Sequence, residues 1–255
     1  VEEAISLGIW QTPAVFINGV ELRGWNAPNG VRRAVERLAA SHPEPMTAAL
    51  DQPSPAMEKL IGDWRASPRR RIPPREGRRA LGPDDARVRV VIFGDFQQSG
   101  TAEADAVVRG EVAARGDVRY EYRHFPFNKD CNPVVQKETK FPQACRAAQA
   151  AEAAASLAGV EGYWQMHVWL LEHQEAFSDA ALREAATEIG IAPDALLAEV
   201  EKPDVRSAVV EDAKLGQRLG VSVVPSVFVN GQRVPRWKLE GENILPRIIA
   251  EAAEE

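Results

Sequence analysis

A nineteen-residue pattern occurs twice in this chain, 212 positions apart. Residues 7–25 and 219–237 share eight identical residues without a gap. The matched pairs are Leu7 and Leu219, Gly8 and Gly220, Pro13 and Pro225, Val15 and Val227, Phe16 and Phe228, Asn18 and Asn230, Gly19 and Gly231, and Trp25 and Trp237. Each copy reads as a helix end, a loop ending in proline, an apolar strand, an Asn-Gly hairpin turn and a return strand. Such a repeat predicts two copies of one domain type.

Only the second copy is preceded by enough chain to form a whole domain. About 140 residues of strand and helix pattern come before Pro225, whereas twelve residues come before Pro13. A hairpin and one helix bury too little apolar surface to offset the entropy lost on ordering. We therefore predict a complete domain at 82–255. Residues 1–42 are predicted to dock on that domain, on a second copy in a homo-oligomer, or on an upstream part that precedes Val1.

Residues 43–81 read as a linker with seven prolines and one short helix near 56–66. The second half of this linker is strongly basic, and Glu76 is its one acidic residue. The basic residues are Arg65, Arg69, Arg70, Arg71, Arg75, Arg78 and Arg79. Such a segment is typical of a solvated tether. The alternative is contact with an anionic membrane surface or an acidic partner.

The overall charge and the scattered ligand-type residues exclude several functions. A net charge of −6 argues against nucleic-acid binding, which needs a basic face. The sequence contains no run of eighteen apolar residues, so it predicts no transmembrane helix. His124, His167 and His173 lie on different predicted elements from the two cysteines and lack the spacing of metal ligands. We therefore expect neither a metal nor a cofactor.

The chain order of strands and helices predicts an α/β fold. Apolar or alternating runs predict strands at 88–93, 118–123, 226–230 and 232–237. Helical patterns occupy 102–115, 143–219 and 244–253. The long helical stretch is predicted to break at 159–162, at 177–178, at 192–193 and at Pro203, because glycine ends helices, serine caps them and proline begins them. Four or five helices thus lie between the second and third strands.

The turn between the first strand and its helix is a typical place for chemistry. Backbone N–H groups converge where a strand ends and a helix begins. However, the helix entrance contains only Gln98, Ser99, Gly100 and Thr101, none of which is a thiol. Ser99 and Thr101 are predicted to cap the helix, and Asp95 is predicted to cap it or to form a buried hydrogen bond.

Three stretches carry a resemblance to a known family: residues 82–97 as an entry strand, Tyr122-Arg-His-Phe-Pro-Phe127 as a strand end, and residues 220–231 as a cis-proline loop. Together they resemble the DsbA-like thioredoxin fold with a helical insertion, the family of exported disulfide oxidoreductases. The resemblance covers 82–253, with a partial match over 1–42. The tandem arrangement is similar to segments fused to vitamin K epoxide reductase-like membrane domains, which implies an exported, membrane-linked protein.

The resemblance places the family's Cys-x-x-Cys motif on Gln98–Thr101, so both catalytic cysteines are absent. A glutamine amide and a threonine hydroxyl cannot exchange disulfides, because the thiolate is the nucleophile of that reaction. By the same resemblance Pro225 is the cis-proline, and Val224 offers its backbone to an extended peptide. The resemblance thus allows two interpretations: peptide binding outlasts the chemistry, or Pro225 is kept only because the turn needs it.

Cys131 and Cys145 stand apart from this turn, in a predicted loop and at a helix start. A structural disulfide would close a fifteen-residue loop and add roughly 3 kcal/mol. An exchanging redox pair and free thiols are the alternatives. We predict a redox-inactive module that binds a protein or peptide or serves as a scaffold. The competing hypothesis is an active oxidoreductase that uses Cys131 and Cys145 or cysteines upstream of Val1.

Overall fold

The computed structural model describes residues 2–9, 12–44, 47, 55–75, 79–136, 141–175, 177–239 and 242–254. Glu76 and Arg78 of the basic segment lie outside the described residues, as does most of 45–54. The chain divides into two compact units, Val1–Ala66 and Ser67–Glu255. The boundary therefore falls inside the predicted 43–81 linker, which is shared between the two units.

In its described residues, the first unit has a short hairpin and three helices. Its elements are α1 (Glu2–Ser6), β1 (Phe16–Ile17), β2 (Val20–Glu21), α2 (Gly30–Ala40) and α3 (Ala56–Arg65). Strand β1 pairs antiparallel with β2 across Asn18 and Gly19, which have φ values of 51° and 72°. These positive φ values suit an Asn-Gly hairpin turn. Helix α3 buries Leu60, Ile61 and Trp64, so this part of the predicted linker is a packed helix.

A five-stranded sheet forms the centre of the second unit. Its strands are β3 (Ala80–Leu81), β4 (Val88–Gly94), β5 (Val118–His124), β6 (Ser226–Val229) and β7 (Gln232–Arg233), in the order β3-β5-β4-β6-β7. Strands β4 and β5 are parallel, and the other pairs are antiparallel. Six of the seven residues of β4 are buried. Both side-chain rows of β4 are therefore buried, as in a strand that is covered on both faces of the sheet.

Helices cover the sheet and fill the insertion between β5 and β6. They are α4 (Ser99–Ala114), α5 (Ala144–Glu172), α6 (Asp179–Glu188), α7 (Pro193–Val200), α8 (Pro203–Arg218) and α9 (Leu245–Ala252), and a small hairpin of β8 (Lys238–Leu239) and β9 (Glu242–Asn243) precedes α9. The predicted α/β thioredoxin fold with a helical insertion is confirmed.

The breaks in the helical insertion have the predicted causes. Gly159 adopts φ 68° and interrupts α5. The Ser178 side chain accepts a hydrogen bond from Ala181 N–H and caps α6. Proline occupies the first position of both α7 and α8. Strand β7 ends at Arg233, so the predicted return strand at 232–237 is wrong from Val234 onward; Pro235 has no N–H to donate to a neighbouring strand.

The arginines of the basic segment have two different environments. The Arg75 guanidinium is buried and pairs with Glu152 and, at 3.2 Å, with Asp212, and Arg79 also pairs with Glu152. The tether interpretation is therefore wrong for Arg75 and Arg79. Residues 69–71 do remain exposed. Across the described residues, no helix has both the length and the apolar composition needed to cross a membrane.

Candidate functional site

The entrance of α4 is closed by the side chain of Gln98. Its Oε1 atom accepts a hydrogen bond from Thr101 N–H at 2.6 Å and a second from the Thr101 hydroxyl at 3.3 Å. Ser99 is exposed. The prediction that Ser99 and Thr101 cap the helix is wrong: Gln98 is the N-cap, because its longer side chain folds back onto the first turn. Its amide oxygen is thereby already engaged.

Glutamines from the helical insertion fix the position of this turn. The Gln174 Nε2 group donates to the carbonyl oxygens of Phe96 (2.6 Å) and Gln98 (3.1 Å). At the other end of α5, the Gln143 N–H donates to Gln97 Oε1 at 2.9 Å. Residues at the two ends of α5 therefore both hydrogen-bond to this turn, one to its backbone and one to the Gln97 side chain.

Asp95 lies beneath the turn and is almost fully buried. Its carboxylate accepts hydrogen bonds from Gln97 N–H at 2.9 Å and from Phe127 N–H at 2.7 Å. Burial raises the pKa of Asp95 to about 6, although both hydrogen bonds act in the opposite direction. Asp95 thus connects the turn to the segment that follows β5.

The loop before β6 faces the turn. The Val224-Pro225 peptide bond is cis, and a Cβ atom on Gly100 would lie 3.5 Å from Pro225 Cδ. Within the described part of the chain, the backbone N–H and C=O of Val224 form no hydrogen bond. Val223 is 58% exposed beside them. The turn and this loop therefore lie against each other, and the loop has an unpaired backbone edge at Val224.

The corresponding loop of the first unit has the same backbone features. The Thr12-Pro13 bond is cis, like Val224-Pro225. Asn230 and Gly231 have φ values of 48° and 80°, close to the values at Asn18 and Gly19. The two matched stretches thus share a cis X-Pro bond and similar positive φ values at their Asn-Gly turns.

Both cysteines are used in one disulfide. Cys131 and Cys145 are bonded, with their Cα atoms 5.8 Å apart, and only 3% and 8% of their surfaces are exposed. The bridge ties the loop after β5 to the first turn of α5. Asn128 reinforces the same junction by donating to the Pro142 carbonyl at 2.9 Å. Among the described residues no group of three or more His, Cys, Asp or Glu side chains could hold a metal ion.

Two buried histidines pair with carboxylates, which the sequence pattern did not reveal. His124 Nε2 lies 2.7 Å from Glu152 Oε1. Burial, reinforced by the charge of Arg75, holds the pKa of His124 well below its usual value. His167 Nε2 lies 2.7 Å from Asp105 Oδ1, to which the Tyr120 hydroxyl also donates. These partners lie 28 and 62 residues away along the chain, so no local spacing signals them.

The electrostatics of Asp105 illustrate how such a charge is held inside the protein. Burial acts to raise the pKa of Asp105, but the charge and hydrogen bond of His167 and the Arg109 guanidinium outweigh it and lower that pKa. Arg109 Nε donates to Asp105 at 2.6 Å. Both histidines therefore have structural partners, and neither ring is positioned by these contacts as a base for the turn.

Residues 89–242 match the sequence model of a family described as the DsbA-like thioredoxin domain. The chain belongs to this family. Its core, from β4 through the helical insertion to the β8–β9 hairpin, is a DsbA-like domain.

A curated relative is a Na(+)/H(+) antiporter from Salinispora tropica, NhaA 3, which is 32% identical over 152 residues. The match covers 60% of this chain but only 21% of the antiporter, so the chain spans about a fifth of that relative's length.

Solved structures share the fold. BdbD from Bacillus subtilis in its oxidised form superposes with a TM-score of 0.59 at 21% identity, covering 74% of this chain and 98% of BdbD. A thioredoxin-like oxidoreductase from Silicibacter pomeroyi superposes with a TM-score of 0.54 at 25% identity, covering 69% and 92% of the two chains.

Proposed function

We propose that this DsbA-like chain is a redox-inactive module that binds an extended segment of a protein partner without forming a covalent bond. The observation that carries this proposal is the unpaired backbone of Val224, which lies beside a turn that contains no thiol. An extended peptide can add to such an edge as one more strand, with backbone hydrogen bonds giving affinity and neighbouring side chains giving selectivity.

The absence of chemistry follows from what occupies the turn. By family resemblance, Gln98–Thr101 stands where active members carry Cys-x-x-Cys. The Gln98 amide oxygen is used as a helix cap, and the Thr101 hydroxyl donates to it. An attacking hydroxyl would need an adjacent base, and the buried His124 ring is paired with Glu152 instead. Disulfide exchange at this position therefore has no nucleophile.

The binding test uses a ligand that cannot form a mixed disulfide. A fluorescent, unfolded polypeptide with all cysteines reduced and alkylated is titrated with the whole chain, and anisotropy gives the dissociation constant. We expect Val224→Lys to abolish binding, because the half-buried Val224 side chain packs against the hydrophobic core and a lysine there would displace the backbone that the peptide pairs with. Urea unfolding of the variant verifies that it is folded. Val223→Lys, a change at the adjacent exposed position, is the matched control and should weaken binding far less. Equal binding by wild type and both variants would contradict the proposal.

The competing hypothesis is disulfide exchange by Cys131 and Cys145. Their burial opposes it, because exchange requires a thiolate to reach a sulfur of the bridge. Mass spectrometry before and after mild reductant, together with an insulin-reduction assay, distinguishes the two hypotheses. A bridge that resists mild reductant and a chain that does not reduce insulin support the redox-inactive module. A readily cycled bridge with turnover would overturn it.

We also propose that the module works on the extracytoplasmic side of a membrane, as part of or beside a membrane transport protein. A disulfide is typical of an oxidising compartment, and antiporters contain a similar segment. The exposed arginines at 69–71 would then face the anionic membrane surface. A second copy that completes residues 1–42, and a link to vitamin K epoxide reductase-like domains, remain predictions of the sequence.

A further inference from the structure

An open groove lies on the helical side of the domain, between the later half of α4 and the later half of α5. It has a volume of about 980 Å³ and is open to solvent. Its lining includes Arg109, Val112 and Ala113 of α4, seven residues of α5 between Val160 and Glu172, and also Leu81, Glu188 and Ile189. The peptide-binding edge proposed at Val224, in contrast, lies beside the amino end of α4. The two sites are therefore separate.

The wall formed by α5 has the spacing of a helix-packing seam. Val160, Trp164, Val168 and Glu172 follow one another at intervals of four residues and all line the groove. Residues four apart lie on one face of a helix. From 160 to 172 this face extends about 18 Å, or about three helical turns. A groove of that length between two helices fits one further helix of similar length.

Apolar side chains form the interior of this groove. Trp164 and Trp169 are buried at its base, and Val112 and Val168 are half-buried on its walls. Val160 remains 39% exposed. Covering this surface with the apolar face of another helix would remove it from water, which is the main driving force of such docking.

The rim of the groove is negatively charged. Glu161, Glu172 and Glu188 are exposed and line it, and within the described part of the chain none of them forms an ion pair. Arg109 is the cation among the described lining residues, and its Nε already donates to the buried Asp105 at 2.6 Å. An occupant with lysine or arginine beside its apolar face would complement this rim, whereas an acidic occupant would be repelled.

We propose that this groove binds a basic amphipathic helix of about three turns from a partner protein. The helix places its apolar face against Val160, Trp164 and Val168, and its lysine or arginine side chains reach the three rim glutamates. This is the helix-in-groove mode of recognition, in which apolar anchors recur at three- and four-residue intervals.

The test uses two synthetic helical peptides of eighteen residues and the whole chain. One peptide is an amphipathic sequence of leucine, alanine and lysine, and its twin has glutamate in place of every lysine. Fluorescence anisotropy of the labelled peptides gives the two dissociation constants. We expect the lysine peptide to bind about tenfold more tightly than its twin, because three exposed charge contacts act together. Equal binding of the two peptides would overturn the proposal.

Variants on one helix locate the site. Val160→Gln should weaken binding of the lysine peptide by about tenfold, because one apolar anchor is lost. Leu157→Gln is the matched control: Leu157 is 41% exposed on α5 but does not line the groove, and its variant should bind like wild type. Equal effects of the two changes would refute the assignment.

Charge reversal and self-association supply two more outcomes. The double change Glu161→Lys and Glu172→Lys alters exposed side chains only, and it should shift the preference toward the glutamate peptide. An unchanged preference would overturn the role of the rim.

Sedimentation equilibrium should show no dimer that depends on this face. A dimer lost in Val160→Gln but kept in Leu157→Gln would mean that a second copy occupies the groove.

Discussion

Replacing Asp95 by asparagine tests the electrostatics beneath the turn. The pKa of this buried carboxyl is raised from 3.8 to about 6 in the folded protein. Between these values the folded chain retains a proton that the unfolded chain releases. The contribution of Asp95 to stability is therefore fully present below pH 3.8 and is lost as the pH rises through about 6. One pKa unit corresponds to about 1.4 kcal/mol, so the whole loss is about 3 kcal/mol.

The variant removes this titration and one hydrogen-bond acceptor. Asparagine can still accept from one of the two N–H groups that Asp95 serves, but the other loses its acceptor at a cost of about 1–3 kcal/mol. The measured quantity is the free energy of unfolding in urea, for wild type and variant, at several values between about pH 4 and pH 7. The stability advantage of wild type over Asp95→Asn should shrink by about 2 kcal/mol across that range.

The matched control is Thr101→Val at the same turn. It changes a buried side chain of similar volume without removing the carboxyl, so its free energy of unfolding should keep the pH dependence of wild type. If the difference between wild type and Asp95→Asn stays constant with pH, or grows as the pH rises, the assigned pKa of Asp95 and the reasoning from its burial are refuted.

Two further substitutions test the cap and the disulfide. Gln98→Ala should lower the free energy of unfolding by about 1 kcal/mol, because Thr101 N–H loses its acceptor. Gln98→Asn restores a side chain that is favoured at N-caps and should be more stable in urea than Gln98→Ala. Equal stability of the two variants would contradict the capping role. Replacing Cys131 and Cys145 by serine should cost roughly 3 kcal/mol, since the bridge closes a loop with a sequence separation of 14. Reductant strong enough to open the bridge should lower the melting temperature of wild type but not of the serine variant, and an equal response of both would count against a stabilising bridge.

The strands and helices were predictable where the signal is local. The apolar run at Val88 and the alternating run at Val118 predicted β4 and β5, because strand burial leaves a short-range pattern. Ser178, Pro193 and Pro203 marked helix starts through capping and missing N–H groups, which also depend on neighbouring residues alone. The two-residue β3 left no such pattern, since it is defined by pairing with a strand about 40 residues later.

The candidate site was only partly accessible from the sequence. The position of the thiol-free turn and of the proline loop follows from short motifs. The glutamine contacts that fix the turn join residues 46 and 76 positions apart, and the acidic groove depends on how α4 and α5 pack together. Interactions of this kind are set by tertiary structure. For the same reason, the sequence pattern of the basic segment predicted a solvated tether, although Arg75 and Arg79 have buried partners in the structure.

The pairing of Arg75 and Arg79 determines where the second unit can be separated from the rest of the chain. A fragment beginning at Gly82 would leave the buried Glu152 without either arginine, whereas Asp212 would lose Arg75 but keep Arg123. Breaking a buried ion pair costs about 3–5 kcal/mol, a large part of the 5–15 kcal/mol that stabilises an ordinary domain. The smallest autonomous fragment of the DsbA-like domain should therefore begin before Arg75, and the part of the basic segment that carries Arg75 and Arg79 belongs to the domain's interior.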